Sequence, residues 1–191
     1  ELGFPAYSPE TARVVRNKEA LRAVLARHTR LNPRYGVADS LSSTEDAIAN
    51  LGVPAVVKPV DGAGGRGALI VRDIDDAPLA FARASRVASN GRVLVEPLLP
   101  GQEYRVLCHR ANGRWGTVMV FSNVPAEHDH LFDRAQVAPV RVVGALREEM
   151  RRSVRAVMGL LRGVHGVIVL EFLVSNEGLH LVEFSHISQY A

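Results

Sequence analysis

The sequence is poor in several residue types, and each shortage excludes some classes of protein. It contains one cysteine, Cys108, so an internal disulfide is excluded and a reducing compartment is favoured. Aromatic residues are 6% of the chain and do not interleave with a basic stripe, which argues against a nucleic-acid partner. No apolar run approaches the roughly 20 residues that cross a bilayer, and residues 1–10 lack a secretory-signal pattern. We therefore expect a cytoplasmic protein with no membrane partner.

Lysine is also scarce. The chain has 23 lysines and arginines together, and only Lys18 and Lys58 are lysines. A chain that uses arginine for nearly all its positive charge, yet keeps two lysines, raises the question of what those two positions do. Coding bias and a solvated helix charge are the plain alternatives for Lys18.

The stretch from Pro54 to Gly67, PAVVKPVDGAGGRG, is the most informative part of the sequence. β-branched residues before and after the glycines favour a strand on each side. Glycines allow backbone angles that other residues resist, and their N–H groups can close on an anion. The stretch predicts a glycine-rich flap over the phosphates of a nucleotide, with Lys58 at its base. A plain glycine-rich hairpin is the alternative.

The same glycines match the dinucleotide-binding pattern at Gly62, Gly64 and Gly67. That pattern needs a helix directly after the glycines, whereas Ala68–Val71 reads as a strand. We keep a Rossmann-type dinucleotide binder as a minor alternative.

Hydrophobic periodicity predicts an α+β fold, with antiparallel hairpins and segregated helices rather than parallel βαβ units. The predicted helices cover Thr11–His28, a segment beginning at Ser43 with a capping box to Asp46, Ile74–Ser89 and Gly144–Arg162. Residues 122–141 are predicted to be polar and irregular.

Two glutamates interrupt apolar strands near the end of the chain. Glu171 follows Val167–Leu170, and Glu183 follows Leu181 and Val182. A tight turn between the two strands would bring the carboxylates face to face, where they repel unless a cation lies between them. A Mg²⁺ ion would take both and bridge to phosphate oxygens. Two glutamates on a solvated face are the alternative.

Glu96 and Glu103 bracket the segment PLLPGQ. A proline at the end of a strand frees backbone groups from sheet pairing. A base edge could then bond to that backbone, and Glu103 could accept from two ribose hydroxyls.

Taken in order, these pieces resemble the ATP-grasp superfamily, in particular its carboxylate–amine ligases, which include amino-acid ligases. The resemblance covers residues 2–185 and implies two α+β subdomains that grip ATP between antiparallel sheets. It implies phosphate contacts for Lys18 and Lys58, a phosphate loop with Gly62, Gly64, Gly65 and Gly67, adenine contacts at Glu96, Pro97 and Leu99, a ribose contact at Glu103, and Mg²⁺ ligands at Glu171, Glu183 and Ser185. The implied reaction joins a carboxylate to an amine, such as an amino acid, through an acyl phosphate.

The sequence departs from the family pattern Glu-x-Asn-x-Arg, because it has Ser185 and Ile187 at the last two positions. Ile187 cannot bind an acyl phosphate, so either Arg105 or Arg141 takes that role or catalysis is weakened. Arg105 lies two residues after Glu103 on the same predicted strand face, and a surface strand charge is its alternative.

The resemblance also implies an N-terminal substrate domain, which we expect to be absent from this sequence. We expect residues 1–90 to form the small subdomain with the phosphate loop, and residues 91–191 to form the large one with the metal hairpin. The leading hypothesis is a ligase core acting on small-molecule carboxylates and amines, with homo-oligomers possible through missing domains. The alternative is an ATP-binding module that has lost catalysis.

Overall fold

Two antiparallel β-sheets organise the fold in a computed structural model that describes residues 8–26, 28, 30–111, 113–125, 133–161 and 165–186. The first sheet has four strands in the order β1-β4-β2-β3, and the second has five in the order β7-β6-β5-β8-β9. Every pairing of neighbouring strands is antiparallel. The prediction of an α+β fold with antiparallel hairpins is confirmed.

The strands of the first sheet come from the first half of the chain. They are β1 (Gly36–Ala38), β2 (Ala55–Pro59), β3 (Leu69–Val71) and β4 (Val93–Pro97). Their apolar side chains form one core with two helices, α3 (Leu41–Leu51) and α4 (Ala77–Val87), with Ala55, Val57 and Val95 fully buried. Apolar runs in β2 and β4 explain why both strands lie inside the sheet.

The glycine-rich loop connects β2 to β3. After Gly67 the chain enters β3, which pairs antiparallel with β2 in the register Val57 with Leu69. A dinucleotide-binding unit would have a helix at this place. The Rossmann alternative is therefore wrong.

The first predicted helix is divided in two, α1 (Pro9–Arg16) and α2 (Lys18–Leu25). Asn17 separates them in an extended conformation, and its side chain accepts a hydrogen bond from the N–H of Ala20. Asparagine is a favoured N-cap residue, so it starts a new helix although the apolar periodicity continues through it. The break puts Lys18 on the first turn of α2.

Two other helix predictions shift at their ends. Helix α3 begins at Leu41, since Ser40 is its N-cap and forms the capping box with Ser43. Asp46 takes no part in that box. The predicted helix from Ile74 starts as a 3₁₀ turn, Ile74–Asp76, before α4.

The second sheet comes from the second half of the chain. Its strands are β5 (Gly101–Ala111), β6 (Arg114–Pro125), β7 (Asp133–Val137), β8 (Gly166–Ser175) and β9 (Gly178–His186). The stretch predicted to be irregular contributes the end of β6 and all of β7, which pair with each other. The hydrophobic pattern did not predict these paired strands, because they lie at the edge of the sheet and carry several polar residues. Helix α5 (Gly144–Leu160) follows the prediction.

The hydrophobic cores do not follow the predicted division at residues 90 and 91. Strand β4 lies in the first sheet, and apolar residues of α1 and α2, such as Val14 and Leu21, pack in the same core as α5, β8 and β9. The division into subdomains stays a prediction. No helix in the described part of the chain is long and apolar enough to cross a membrane.

Candidate functional site

A cavity of about 750 Å³ lies between the two sheets. Its walls include Val56 and Lys58 of β2, the loop that follows β2, and the segment Pro97–Gly101 between β4 and β5. Strands β5, β8 and β9 supply the opposite wall. A concave site of this volume suits a drug-sized or nucleotide-sized ligand.

A buried cluster of three charges occupies one part of the wall. Glu96 accepts from Arg22 Nε through Oε1 at 2.5 Å and pairs through Oε2 with Lys58 Nζ at 2.5 Å. Burial by itself would raise the pKa of Glu96, but the charges of Arg22 and Lys58 outweigh it and lower the pKa from 4.5 to about 2. Glu96 is therefore a carboxylate at any physiological pH.

Arg22 also connects α2 to the second sheet. Its side chain is fully buried, and two of its nitrogens donate to the backbone carbonyls of Leu181 and Val182 at 2.7 and 3.0 Å. These carbonyls directly precede Glu183 on β9. One arginine therefore fixes both the carboxylate of Glu96 and the strand that carries Glu183.

Lys18 lies where the glycine loop meets β9. Its Nζ donates to the carbonyl of Gly62 at 2.5 Å and pairs with Glu183 Oε1 at 3.3 Å. The backbone N–H of Lys18 donates to Val60 O at 2.6 Å, which holds the start of α2 against the end of β2. The break at Asn17 makes this contact available, because first-turn N–H groups have no partner within the helix.

The two strand glutamates are direct cross-strand partners, Glu171 on β8 and Glu183 on β9, and both line the cavity. Glu171 also lies opposite Arg105 of β5, and Arg105 Nε is 3.1 Å from Glu171 Oε1. The like charges are thus neutralised by Arg105 on one side and Lys18 on the other. The predicted face-to-face arrangement of the glutamates is present.

This pair of carboxylates fits a hard divalent ion. Mg²⁺ is usually held by one or two carboxylates together with phosphate oxygens and water. No group of three or more histidine, cysteine or acidic side chains with metal-binding geometry occurs in the part of the chain that the structure describes. The protein donors thus suit an ion that shares its coordination with a phosphorylated ligand.

Glu103 has a partner that the sequence did not indicate. Asn123 of β6 is buried, lines the cavity, and donates from Nδ2 to Glu103 Oε2 at 3.0 Å. This bond orients the carboxylate, and among the residues that the structure describes no side chain is seen to bond its other oxygen. Nearby, the N–H of Leu98 donates to Pro54 O at 2.9 Å, which fixes the segment after β4.

The glycine loop is open at its tip and packed at its end. Gly64 and Gly65 have positive φ angles of 62° and 68°. Both line the cavity, and Gly62 and Arg66 of the same loop line it too. Gly67 has a φ of 80°, and a Cβ there would lie 2.9 Å from Pro59 and Val87 side-chain atoms. Gly67 therefore anchors the loop and is outside the cavity lining.

Most residues singled out from the sequence line this one cavity: Lys18, Lys58, Gly62, Gly64, Gly65, Glu96, Pro97, Leu99, Glu103, Arg105, Glu171 and Glu183. Three do not line it. Arg141 is exposed, Gly67 lies behind the loop, and Ser185 is 1% exposed in β9. Ile187 lies outside the described residues.

Sequence reasoning missed Arg22, Asn123 and His180, which also line the cavity. Arg22 lies one helical turn after Lys18, the spacing that puts two side chains on one face. His180 stands between Leu179 and Leu181, so it is a polar residue inside an apolar strand. The same pattern is the reason for selecting Glu171. Asn123 was missed because it falls in the stretch 122–141 that is predicted to be irregular, whereas the structure places it on β6.

A family model described as the ATP-grasp domain matches residues 23–187. The chain belongs to the ATP-grasp family. The formate-dependent phosphoribosylglycinamide formyltransferase of Methanocaldococcus jannaschii is 28% identical over 191 residues, which cover 97% of this chain and 48% of that protein. The chain thus spans about half the length of this curated relative.

Solved structures show the same ATP-grasp fold. Biotin carboxylase from Campylobacter jejuni, in a β-γ-ATP complex, matches with a TM-score of 0.79 at 18% identity, over 95% of this chain and 42% of that one. The biotin carboxylase domain of Hydrogenobacter thermophilus 2-oxoglutarate carboxylase, in complex with MgADP and bicarbonate, matches with a TM-score of 0.72 at 17% identity, over 91% and 40%.

Proposed function

We propose that this chain is the nucleotide-binding core of an ATP-dependent carboxylate–amine ligase, acting in the cytoplasm on small molecules. The observation that carries the proposal is that two lysines and a glycine loop face a pair of cross-strand glutamates in the same cavity. Cations and backbone N–H groups suit phosphates, and the carboxylates suit the metal that accompanies them.

At the phosphate end, Lys18 would exchange its present carboxylate partner, Glu183, for phosphate oxygens, and Lys58 would contact the phosphates while it stays paired with Glu96. Lys18 Nζ already donates to the carbonyl of Gly62. A movement of the Lys18 side chain toward the phosphates would therefore bring the glycine loop toward the nucleotide. Glu171 and Glu183 would hold Mg²⁺, which neutralises charge on the phosphates when bound. Ser185 stays a candidate ligand, although its place outside the cavity lining makes it the weakest of the three.

At the other end, the segment after β4 would receive the base. Glu96, Pro97 and Leu99 line this region together, and the Glu103 carboxylate would accept from the ribose hydroxyls while Asn123 holds it. Because Glu96 stays ionised, it favours a donor such as an amino group on the base.

In the proposed reaction a substrate carboxylate oxygen attacks the γ-phosphorus and the bond to ADP breaks, which gives an acyl phosphate and ADP. An amine nitrogen then attacks the acyl carbon, loses a proton, and expels inorganic phosphate. Arg105 lines the cavity beside Glu171 and is the better candidate for the acyl phosphate, since Arg141 is exposed and outside the cavity lining.

The similar proteins suggest which acid and amine to test. A formate-dependent phosphoribosylglycinamide formyltransferase makes formate and a phosphoribosylglycinamide the first pair. Bicarbonate, which is part of the Hydrogenobacter thermophilus complex, is the second acid.

The test is ADP release and the fate of a heavy-oxygen label in the carboxylate. An acyl phosphate transfers one labelled carboxylate oxygen to inorganic phosphate, so phosphate recovered from a complete reaction should carry the label. Lys18→Met should reduce the rate of ADP release by at least about tenfold, because it removes one charged contact to the phosphates. The control is Arg16→Met, an exposed cation two residues earlier, which should leave the rate unchanged.

Two results would contradict the proposal. Unlabelled phosphate would mean that water, not the carboxylate, attacks ATP. Tight ATP binding without any acid-dependent ADP release would support the alternative of an ATP-binding module that has lost catalysis.

A further inference from the structure

His180 is a buried polar side chain with no assigned role. It lies on β9 opposite Leu173 of β8, is 6% exposed, and lines the cavity. Neither ring nitrogen makes a hydrogen bond with any residue that the structure describes. Buried polar groups are nearly always paired, so a histidine that is unpaired within the described protein and faces a cavity indicates a ligand contact.

The surroundings of His180 place it away from the metal carboxylates. Glu183 is three positions further along β9, roughly 10 Å away in an extended strand. The neighbouring carbonyls of Leu181 and Val182 accept from Arg22, which binds Glu96. His180 therefore lies on the side of the cavity where Glu96 and the segment after β4 would receive the base.

The protonation state of the ring suits recognition of a neutral group. Burial lowers the pKa of His180, and the charge of Arg22 lowers it further, against the opposing effects of Glu177 and Glu96. The side chain is thus a neutral imidazole at physiological pH. A neutral imidazole carries one N–H donor and one acceptor.

We propose that the imidazole N–H of His180 donates a hydrogen bond to N3 or N7 of the purine bound in this cavity, which makes His180 a residue that recognises the purine base. Purine ring nitrogens are acceptors, so they match the donor that His180 leaves unused. The inference rests on the proposed function only in that the cavity must bind ATP.

The test compares ATP with 3-deaza-ATP and 7-deaza-ATP, each of which replaces one ring nitrogen by a C–H group. The unmutated protein should bind one of the two analogues about fivefold more weakly than ATP, the effect of one neutral hydrogen bond. His180→Phe should bind ATP about fivefold more weakly and should no longer distinguish ATP from that analogue. His109→Phe, an exposed histidine on β5, is the control and should behave as the unmutated protein does.

The comparison on the unmutated protein does not depend on the folding of any variant. NMR of nitrogen-labelled histidine adds a second readout on the same protein, because a new hydrogen bond should shift the ring signals of His180 when ATP is added.

The outcomes separate this inference from the proposed function. Tight ATP binding with equal affinity for both analogues, or with unchanged His180 ring signals, overturns the inference and leaves the proposed function standing. A His180→Phe protein that still discriminates against the weak analogue also overturns it. Failure of the unmutated protein to bind ATP overturns both.

Discussion

The two ends of the cavity hold their carboxylates differently. Glu96 is buried between two cations, one of which, Arg22, is fully inaccessible to solvent. Glu183 has a side chain that is 26% exposed and pairs with Lys18 at 3.3 Å. A buried carboxylate held by two cations, one of them fully buried, is fixed in place, whereas a partly exposed carboxylate with one cation partner can exchange that partner for another cation. The comparison suggests a rigid base end and an exchangeable phosphate end.

The largest expected effect is at Arg22. Arg22→Met leaves Glu96 buried with one cation and removes the bonds to the two β9 carbonyls. Removing one partner of a buried ion pair typically costs about 3–5 kcal/mol, so the free energy of unfolding should fall by that amount in urea titrations. Arg83→Met, on the exposed face of α4, should change it by less than about 0.5 kcal/mol. A loss below about 1 kcal/mol at Arg22 would contradict the description of a rigid base end.

The next effect is the acid dependence of stability that Glu96 imposes. Its pKa falls from 4.5 to about 2 in the folded protein, so its contribution is complete above pH 4.5 and is lost as the pH falls toward 2. A shift of this size corresponds to about 3 kcal/mol. Urea unfolding between pH 6 and pH 2.5 should show this loss, and Glu96→Gln should flatten it.

The exposed Glu148 supplies the control for that experiment. Its ion pair with Arg151 lies on the surface of α5, with both side chains at least half exposed. Glu148→Gln should therefore keep the full acid dependence. If Glu96→Gln keeps it too, the carboxylate of Glu96 is not held as the structure indicates.

The sequence predicts the two ends of the cavity unequally well. The strand glutamates and the glycine loop were found because a charge inside an apolar strand and a run of glycines are local signals. The role of Arg22 depends on Glu96 and on carbonyls more than 150 positions away, so no local pattern contains it. The break at Asn17 shows a related limit, because one side-chain cap overrides a continuous helical period.

The third prediction compares two positions of the glycine loop, Gly67 and Gly64, to test whether the loop is weakly held along its whole length. Gly67→Ala forces a positive φ on alanine and puts its Cβ 2.9 Å from Pro59 and Val87 atoms, so we expect a loss of about 2–3 kcal/mol in urea unfolding. Gly64→Ala meets nothing within 4 Å and should lose only about 1 kcal/mol, the cost of the backbone angle. Equal losses would mean that the loop is not anchored at Gly67.

The smallest expected effect on stability, and the sharpest on binding, is at Glu183. Glu183→Gln removes a partly exposed ion pair with Lys18, so the free energy of unfolding should change by less than about 1 kcal/mol. Calorimetry should show that Mg²⁺ no longer strengthens ATP binding, because one of two carboxylate donors is gone, while the affinity measured without Mg²⁺ stays within about threefold. Glu177→Gln, an exposed carboxylate on the same hairpin, should keep the Mg²⁺ effect. Were Glu183→Gln to lower stability as much as Arg22→Met does, the carboxylate would be a structural partner of Lys18, and the phosphate end would be as rigid as the base end.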